Sequence, residues 1–178
     1  MSAESSLPGL RRIVTAHVSG AAVVKSDIII PSTPILPGQT TIRTGGLWTT
    51  DATPTNDNNV EVDGATREVP GMLGLVMPHG TNFRFTDLGP GEVVPMHRSS
   101  SVDYNILIQG ELVLILDDGA ETHLKNPGDV VIQRGTIHGW RNPSSTCARW
   151  ACVVIDAVPI SVEGQVLEPL WGGDSTKK

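Results

Sequence analysis

No stretch of this 178-residue chain approaches the roughly 20 consecutive apolar residues that cross a bilayer as a helix. Apolar runs such as residues 28–30 and 112–116 are far shorter, so no membrane partner is expected. Cysteine is scarce too: only Cys147 and Cys152 occur. Five residues apart in one strand they point to opposite faces, so reduced thiols are expected. The opening MSAESSLPGLRR lacks the apolar core of roughly 7 to 15 residues of a secretory signal. Together these point to a reducing, cytoplasmic home. Positive charge is in deficit, with 13 Lys and Arg against 19 Asp and Glu for a net charge of −6. Without a basic stripe to neutralise phosphates, nucleic acid is not expected as a partner. The patterns GxSxG, GxxxxGK[ST], HExxH and CxxC are all absent, which removes the nucleophile-elbow, P-loop and zincin templates. Helical periodicity is missing as well. The best window, residues 166–171, is interrupted by Pro169.

What is present is a succession of short β-prone segments punctuated by 19 glycines and 13 prolines. Residues 11–19 and 21–30 read as two strands with Gly20 at their turn. Residues 31–46 and 51–63 read as surface loops, the first rich in Pro and Gly, the second strongly polar. From Gly71 onward, MLGLVM, TNFRFTDL, EVVPMH, VDYNILI, ELVLIL, AETHL, DVVIQ and ARWACVVID are eight strand candidates. So many strands cannot share one open sheet without exposed edges, so a barrel or two-sheet jelly roll is the expected closure. At 39% apolar and 18% charged residues the composition is globular, and 178 residues suit one core. The expected organisation is an N-terminal β-rich extension over residues 1–70 that packs on the barrel or on a second subunit, a barrel over 71–160 and a tail over 161–178.

Two segments put metal-competent and proton-transferring side chains where buried strands are normally apolar. The first runs from Gly91 through His97, Ser99 and Asp103 to Gly110; the second runs from Gly128 through Gln133, Gly135, His138 and Trp140 to Asn142. Even spacings share a strand face, so His97, Ser99 and Asp103 can look into one cavity, with His138 arriving from another strand. Trp140 shares the face of His138 and is expected to floor the cavity or pack in the core. Gln133 can reach a substrate carbonyl or satisfy backbone at a strand end. Arg84, in NFRFTD, can receive a substrate carboxylate or pair with Asp87. His17, His79 and His123 have no supporting spacing.

These two segments resemble the two halves of the cupin signature: a Gly followed six residues on by His-x-His, then a carboxylate and a Gly, and later a Gly-Asp strand start, a Gly turn, a His and an Asn. The resemblance spans residues 91–142, and MHRSSSVDY and QRGTIHGW are similar to a widespread group of small single-domain cupins in fungi and bacteria, some beside secondary-metabolite genes. It implies an all-β fold, the cupin double-stranded β-helix or jelly-roll barrel, often dimeric and often holding one divalent metal through three His and one Glu. This chain has Ser99 in place of the second His, Asp103 in place of the Glu and Gln133 in place of a usual proline. The carry-over therefore implies His97, Asp103 and His138 as metal ligands. Such a 2-His-1-carboxylate set suits iron and also holds zinc, manganese or nickel. Asp103, one methylene shorter than Glu, acts either as ligand or as an acid or base.

The function this implies is a metal-dependent cupin enzyme doing redox-neutral lyase or isomerase chemistry, that is decarboxylation, dehydration, isomerisation or cyclisation. Its substrate would be a small oxo-acid or a polyketide-like intermediate. Asp103, His138 and Gln133 are the catalytic candidates, and Trp140, Arg84 and Ser99 the substrate-binding ones, Ser99 chiefly as spacer or water anchor. An iron(II) dioxygenase and a non-catalytic binding protein are the competing readings, and a homodimer is the expected assembly.

Overall fold

Alternating side chains and tight glycine turns produce two facing antiparallel sheets in the computed structural model, which describes residues 7–71 and 73–172. The chain begins with a hairpin of β1 (Leu10–Val18) and β2 (Ala21–Ile30), turning through Ser19 and Gly20, both at positive φ as a tight hairpin of this type needs. This hairpin is a sheet of its own. β3 (Thr33–Pro34) and β4 (Ile42–Thr50) follow, then a short 3-10 turn over residues 64–66. The barrel strands are β5 (Thr81–Leu88), β6 (Val93–Arg98), β7 (Ser101–Gln109), β8 (Leu112–Leu116), β9 (Glu121–Leu124), β10 (Val130–Arg134), β11 (His138–Arg141) and β12 (Ala148–Asp156). A small hairpin of β13 (Ser161–Val162) and β14 (Gln165–Val166) precedes β15 (Leu170–Trp171).

The six-stranded sheet has the order β10-β7-β12-β5-β4-β3 and the five-stranded sheet the order β15-β6-β11-β8-β9. Successive strands from β5 to β8 switch sheets, and β10, β11 and β12 do so again. This is the jelly-roll path, which keeps most sheet edges short. Ile42, Leu88, Leu107, Leu114, Trp140 and Trp150 belong to the core between the sheets. Asn142, fully buried, closes one end by donating its side-chain amide to the carbonyls of Leu88, Gly89 and Thr146. At the same end Arg149 grips Asp87 through two hydrogen bonds of 2.5 and 2.7 Å, and its guanidinium stacks 4.6 Å from the Phe85 ring. Cys147 and Cys152 are both buried and no disulfide joins them.

Register arranges the site. Across β5, β12 and β7, Arg84, Cys152 and Asn105 are neighbours in one row. Asn82, Val154 and Asp103 form the next row on the same face, which Gln133 of β10 extends. The opposite face carries Phe83, Val153, Tyr104 and Ile132 in the row between.

Two segments differ from the sequence expectation. Residues 31–46, expected as a loop, include β3 and the start of β4, because Gly45 and Gly46 do not interrupt the strand. A Cβ at Gly45 would lie 2.3 Å from the Phe85 ring, so glycine here permits close packing. The MLGLVM segment forms no strand over residues 73–77, Met72 lying outside the described residues. Gly71 and Gly74 have φ of 86° and 53°, which bend the chain, while Leu73 and Leu75 are apolar because they line a cavity.

Candidate active site

A cavity of about 70 Å³ lies between the sheets. The six-stranded sheet contributes Arg84, Thr86, Asp103, Asn105, Trp150 and Cys152, and the five-stranded sheet contributes Val94, His97, His138, Trp140 and Trp171. Ser99, just beyond β6, and Leu73 and Leu75 complete much of the wall. The volume is well below the roughly 300–1,000 Å³ of drug-sized pockets, so it suits a small molecule or one group of a larger molecule.

His97 and His138 stand directly opposite each other on β6 and β11, their ring centroids 4.2 Å apart. Each ring is oriented the same way. His97 Nδ1 donates to the Pro95 carbonyl at 2.8 Å and His138 Nδ1 to the Thr136 carbonyl at 3.1 Å. Because a carbonyl only accepts, the proton of each neutral ring sits on Nδ1 and Nε2 keeps its lone pair. Burial lowers the pKa of His97, and burial plus the neighbouring His97 pushes His138 down to about 4. Both rings are therefore neutral at pH 7.

Asp103 is 7% exposed, and its Oδ1 has no hydrogen-bond partner. Burial raises its pKa to about 6, against a smaller opposing effect of a Ser101 hydrogen bond. Ser99 Oγ is 2.8 Å from Ser101 Oγ. Arg84 is held by neutral groups: Nε and Nη2 donate to Thr44 Oγ1 at 3.1 and 2.7 Å, and Nη1 donates to the Gly74 carbonyl at 3.0 Å. The pairing of Arg84 with Asp87 considered from sequence does not form: the two lie on opposite faces of β5, and Asp87 pairs with Arg149.

The cavity thus gathers His97, Ser99, Asp103, His138, Trp140 and Arg84. Gln133 is buried opposite Asp103 but is not among the cavity-lining residues; its amide donates to the Thr136 carbonyl at 3.4 Å, at the end of its own strand. Two residues not singled out from sequence also line the cavity. Trp171 pairs with His97 through β15, with rings 4.8 Å apart, and Asn105 projects from β7 with an unpartnered Nδ2. The alternation Asp103, Asn105 in VDYNILI is the signal that marks Asn105. Nothing local in EPLWGG marks Trp171, because its position depends on the return of the chain to β6.

Whether a divalent metal fits can be judged from the donors. The two imidazoles fit: their Nδ1 atoms are tied to carbonyls, the usual support that orients ligating histidines and leaves Nε2 for the metal. The set is incomplete, however. Among the described residues no group of three His, Cys, Asp or Glu side chains is close enough to hold a metal, so Asp103 shares the cavity without joining the histidine pair as a third ligand.

A jelly-roll barrel with a histidine pair facing a buried carboxylate defines the class, and the comparisons define the family. Residues 84–154 match the Cupin domain family. The cupin-domain-containing oxidoreductase virC of Hypocrea virens is 32% identical over 163 residues, covering 87% of this chain and 81% of that protein. The chain therefore belongs to the cupin family. Phomopsin biosynthesis cluster protein D of Diaporthe leptostromiformis is 42% identical over 100 residues, 56% of this chain and 52% of that one. Oryzines biosynthesis cluster protein J of Aspergillus oryzae is 44% identical over 94 residues, 52% of each chain. The match thus spans about half the length of these two relatives. Among solved structures, a Cupin 2 conserved barrel domain protein from Salinispora arenicola superposes with a TM-score of 0.44 at 20% identity, covering 66% of this chain and 77% of that one. No helix among the described residues is long and apolar enough to cross a membrane.

Proposed function

We propose that this cupin is a small-molecule enzyme of secondary metabolism performing redox-neutral proton-transfer chemistry: decarboxylation, dehydration, isomerisation or cyclisation of an oxo-acid or polyketide-like intermediate. Relatives named for biosynthesis clusters support the metabolic setting. The observation that carries the chemistry is Asp103, a buried carboxyl with an orphaned oxygen whose pKa of about 6 suits it to both giving and taking a proton near neutrality. Across the cavity the Nε2 lone pairs of His97 and His138 are free to accept a hydrogen bond from the substrate. Trp140, Trp150 and Trp171 line the cavity and restrict its volume. A divalent ion, zinc, iron, manganese or nickel, would be held by His97 and His138 and would polarise a substrate carbonyl. The proton movements described here need only the side chains of the chain itself.

The test is proton exchange and product formation by NMR in deuterated, oxygen-free buffer, with 3-oxobutanoate and 2-oxobutanoate as probes and metal content measured in parallel. Turnover that falls 100-fold or more in Asp103→Asn supports the reading, in line with typical general acid–base contributions of about 10²–10⁴. Turnover only with dioxygen would overturn it in favour of an iron(II) oxygenase, a reading favoured by the oxidoreductase names of several relatives. No turnover under either condition would leave a binding protein.

We also propose a homodimer. Support comes from two apolar surfaces on one chain. The first hairpin exposes Ile13 and Ile29 on one face and Ile28 on the other, and the outer face of the six-stranded sheet exposes Phe83, Tyr104, Val130 and Ile132. A lone two-stranded hairpin is only marginally stable in water, and a symmetric pair covers both surfaces with one interface.

A further inference from the structure

We infer that the ligand of this cavity carries a carboxylate, and that Arg84 and Asn105 bind it on the wall formed by the six-stranded sheet. The inference rests on the proposed small-molecule chemistry and names the substrate class.

Among the described residues three arginines are buried: Arg12, Arg84 and Arg149. Arg12 meets Asp63, and Arg149 meets Asp87, each through paired hydrogen bonds. Arg84 is 7% exposed and has no carboxylate partner among the described residues; a hydroxyl and a backbone carbonyl are its acceptors. Burying a cation without a counter-charge is costly, and an anionic ligand removes that cost where a neutral one does not. Burial lowers the Arg84 pKa, as expected of a charge lacking its partner. The guanidinium has five N–H groups, and three go to Thr44 and Gly74, so two are left for a ligand.

The second, independent observation is Asn105. It is 4% exposed, its Nδ2 has no partner, and it lines the same cavity. Cys152 is the neighbour of both Arg84 and Asn105 in the strand register, which sets their backbones about 10 Å apart, twice the strand spacing. Between them stands only the small Cys152 side chain, whose pKa is pushed up by burial and by Asp103, so the thiol is neutral. Two sets of unused donors therefore flank a small, uncharged floor. An oxygen pair accepting from both sides is the complementary group. One buried cation matches one negative charge, and the small cavity favours a carboxylate over a phosphate dianion.

The experiment compares isosteres on the full-length protein. Propanoate and 2-oxobutanoate, with propanamide as the neutral control, are titrated by saturation-transfer NMR, and unfolding is followed with and without each compound. The carboxylates are expected to bind and raise Tm while propanamide does neither. Arg84→Met should weaken the carboxylates at least tenfold while leaving the unliganded fold as stable or more so, because the uncompensated charge has gone. Asn105→Leu should weaken them several-fold, and Arg84→Lys should keep part of the binding. Equal binding of propanamide, binding that survives Arg84→Met, or no carboxylate binding by wild type would each overturn the inference. A large loss of unliganded stability in Arg84→Met would also overturn it, marking Arg84 as a brace for Thr44 and Gly74. Carboxylate binding without turnover would sink the proposed chemistry and leave this inference standing; turnover of neutral ketones indifferent to Arg84 would do the reverse.

Discussion

The two faces of the six-stranded sheet invert the usual arrangement. The inner face buries Arg84, Asp103, Asn105 and Gln133, whereas the outer face exposes Phe83, Tyr104, Val130 and Ile132. An ordinary antiparallel sheet is apolar inside and polar outside. Here the alternation is intact but its polarity is reversed over the middle of β5, β7 and β10. Burying groups with orphaned atoms lowers stability, as does exposing apolar surface, which is the ground on which a polar ligand is proposed for the inner face and a second copy of the chain for the outer one. Farther along β5 the outer face is itself buried and its charges are paired. Toward one end Asp87 and Arg149 satisfy each other, and Phe85 is fully buried.

That end yields the largest expected effect. Arg149→Met leaves the Asp87 carboxylate buried without its two donors and should cost about 3–5 kcal/mol by urea unfolding. Arg84→Met, at the cavity, should cost little or nothing. Equal losses at the two positions would break the contrast, since Arg84 would then be a structural group like Arg149.

Asp103 gives the next effect, with the opposite sign. Its native pKa of about 6 lies above the ordinary carboxyl value of 3.8, so between those pH values the native state holds the proton that the unfolded chain has released. Stability should therefore fall as pH rises from about 4 to 6 and stay level above. Asp103→Asn should flatten this limb and gain about 3 kcal/mol at pH 7, since each pKa unit is worth about 1.4 kcal/mol. Stability curves of the two proteins that stay parallel from pH 4 to 7 would show that the buried carboxyl is not under this penalty.

Much of this was legible in the chain. Alternation located β1, β2 and the barrel strands from TNFRFTDL onward, and the spacing of His97, Asp103 and His138 located the cavity. Less legible was anything fixed by distant partners. β4 is disguised by Gly45, whose purpose is apparent only when the Phe85 ring packs on it. The LGLV stretch of MLGLVM mimics a strand because Leu73 and Leu75 serve the cavity. Asp87 is no counter-ion for Arg84, because three residues along β5 it lies on the opposite face, where Arg149, 62 residues away in sequence, pairs with it. Local pattern locates the strands, but over β5, β7 and β10 apolarity does not mark the buried face, and no local pattern reports which buried groups are left without partners.

A smaller effect concerns the polar loop that covers β4. Asp57 accepts from Arg67 and from Trp48 Nε1, and chiefly the Arg67 hydrogen bonds hold its pKa near 2. A depressed carboxyl stabilises the fold above its unfolded value of about 3.8, and this contribution is lost as pH falls toward 2. Asp57→Asn should therefore cost on the order of 1 kcal/mol at pH 7, after allowance for solvent screening, and the difference should vanish near pH 2. A cost that persists undiminished in acid would assign the effect to packing.

The smallest change in monomer stability should come from the outer face, where Tyr104 is 42% exposed on β7. Tyr104→Lys replaces an exposed ring and should alter urea unfolding of the monomer by no more than about 0.5 kcal/mol. If a second copy covers this face, the same substitution places a charge in the centre of an apolar contact and should convert dimer to monomer by light scattering. It should leave carboxylate binding intact, because Tyr104 points away from the cavity that Asp103 and Asn105 line. A wild-type protein that is monomeric at tens of micromolar, or a variant that stays dimeric, would remove the second copy as the reason for the exposed face. The inner face would keep its ligand argument, since the unpartnered atoms of Asp103 and Asn105 do not depend on what lies outside.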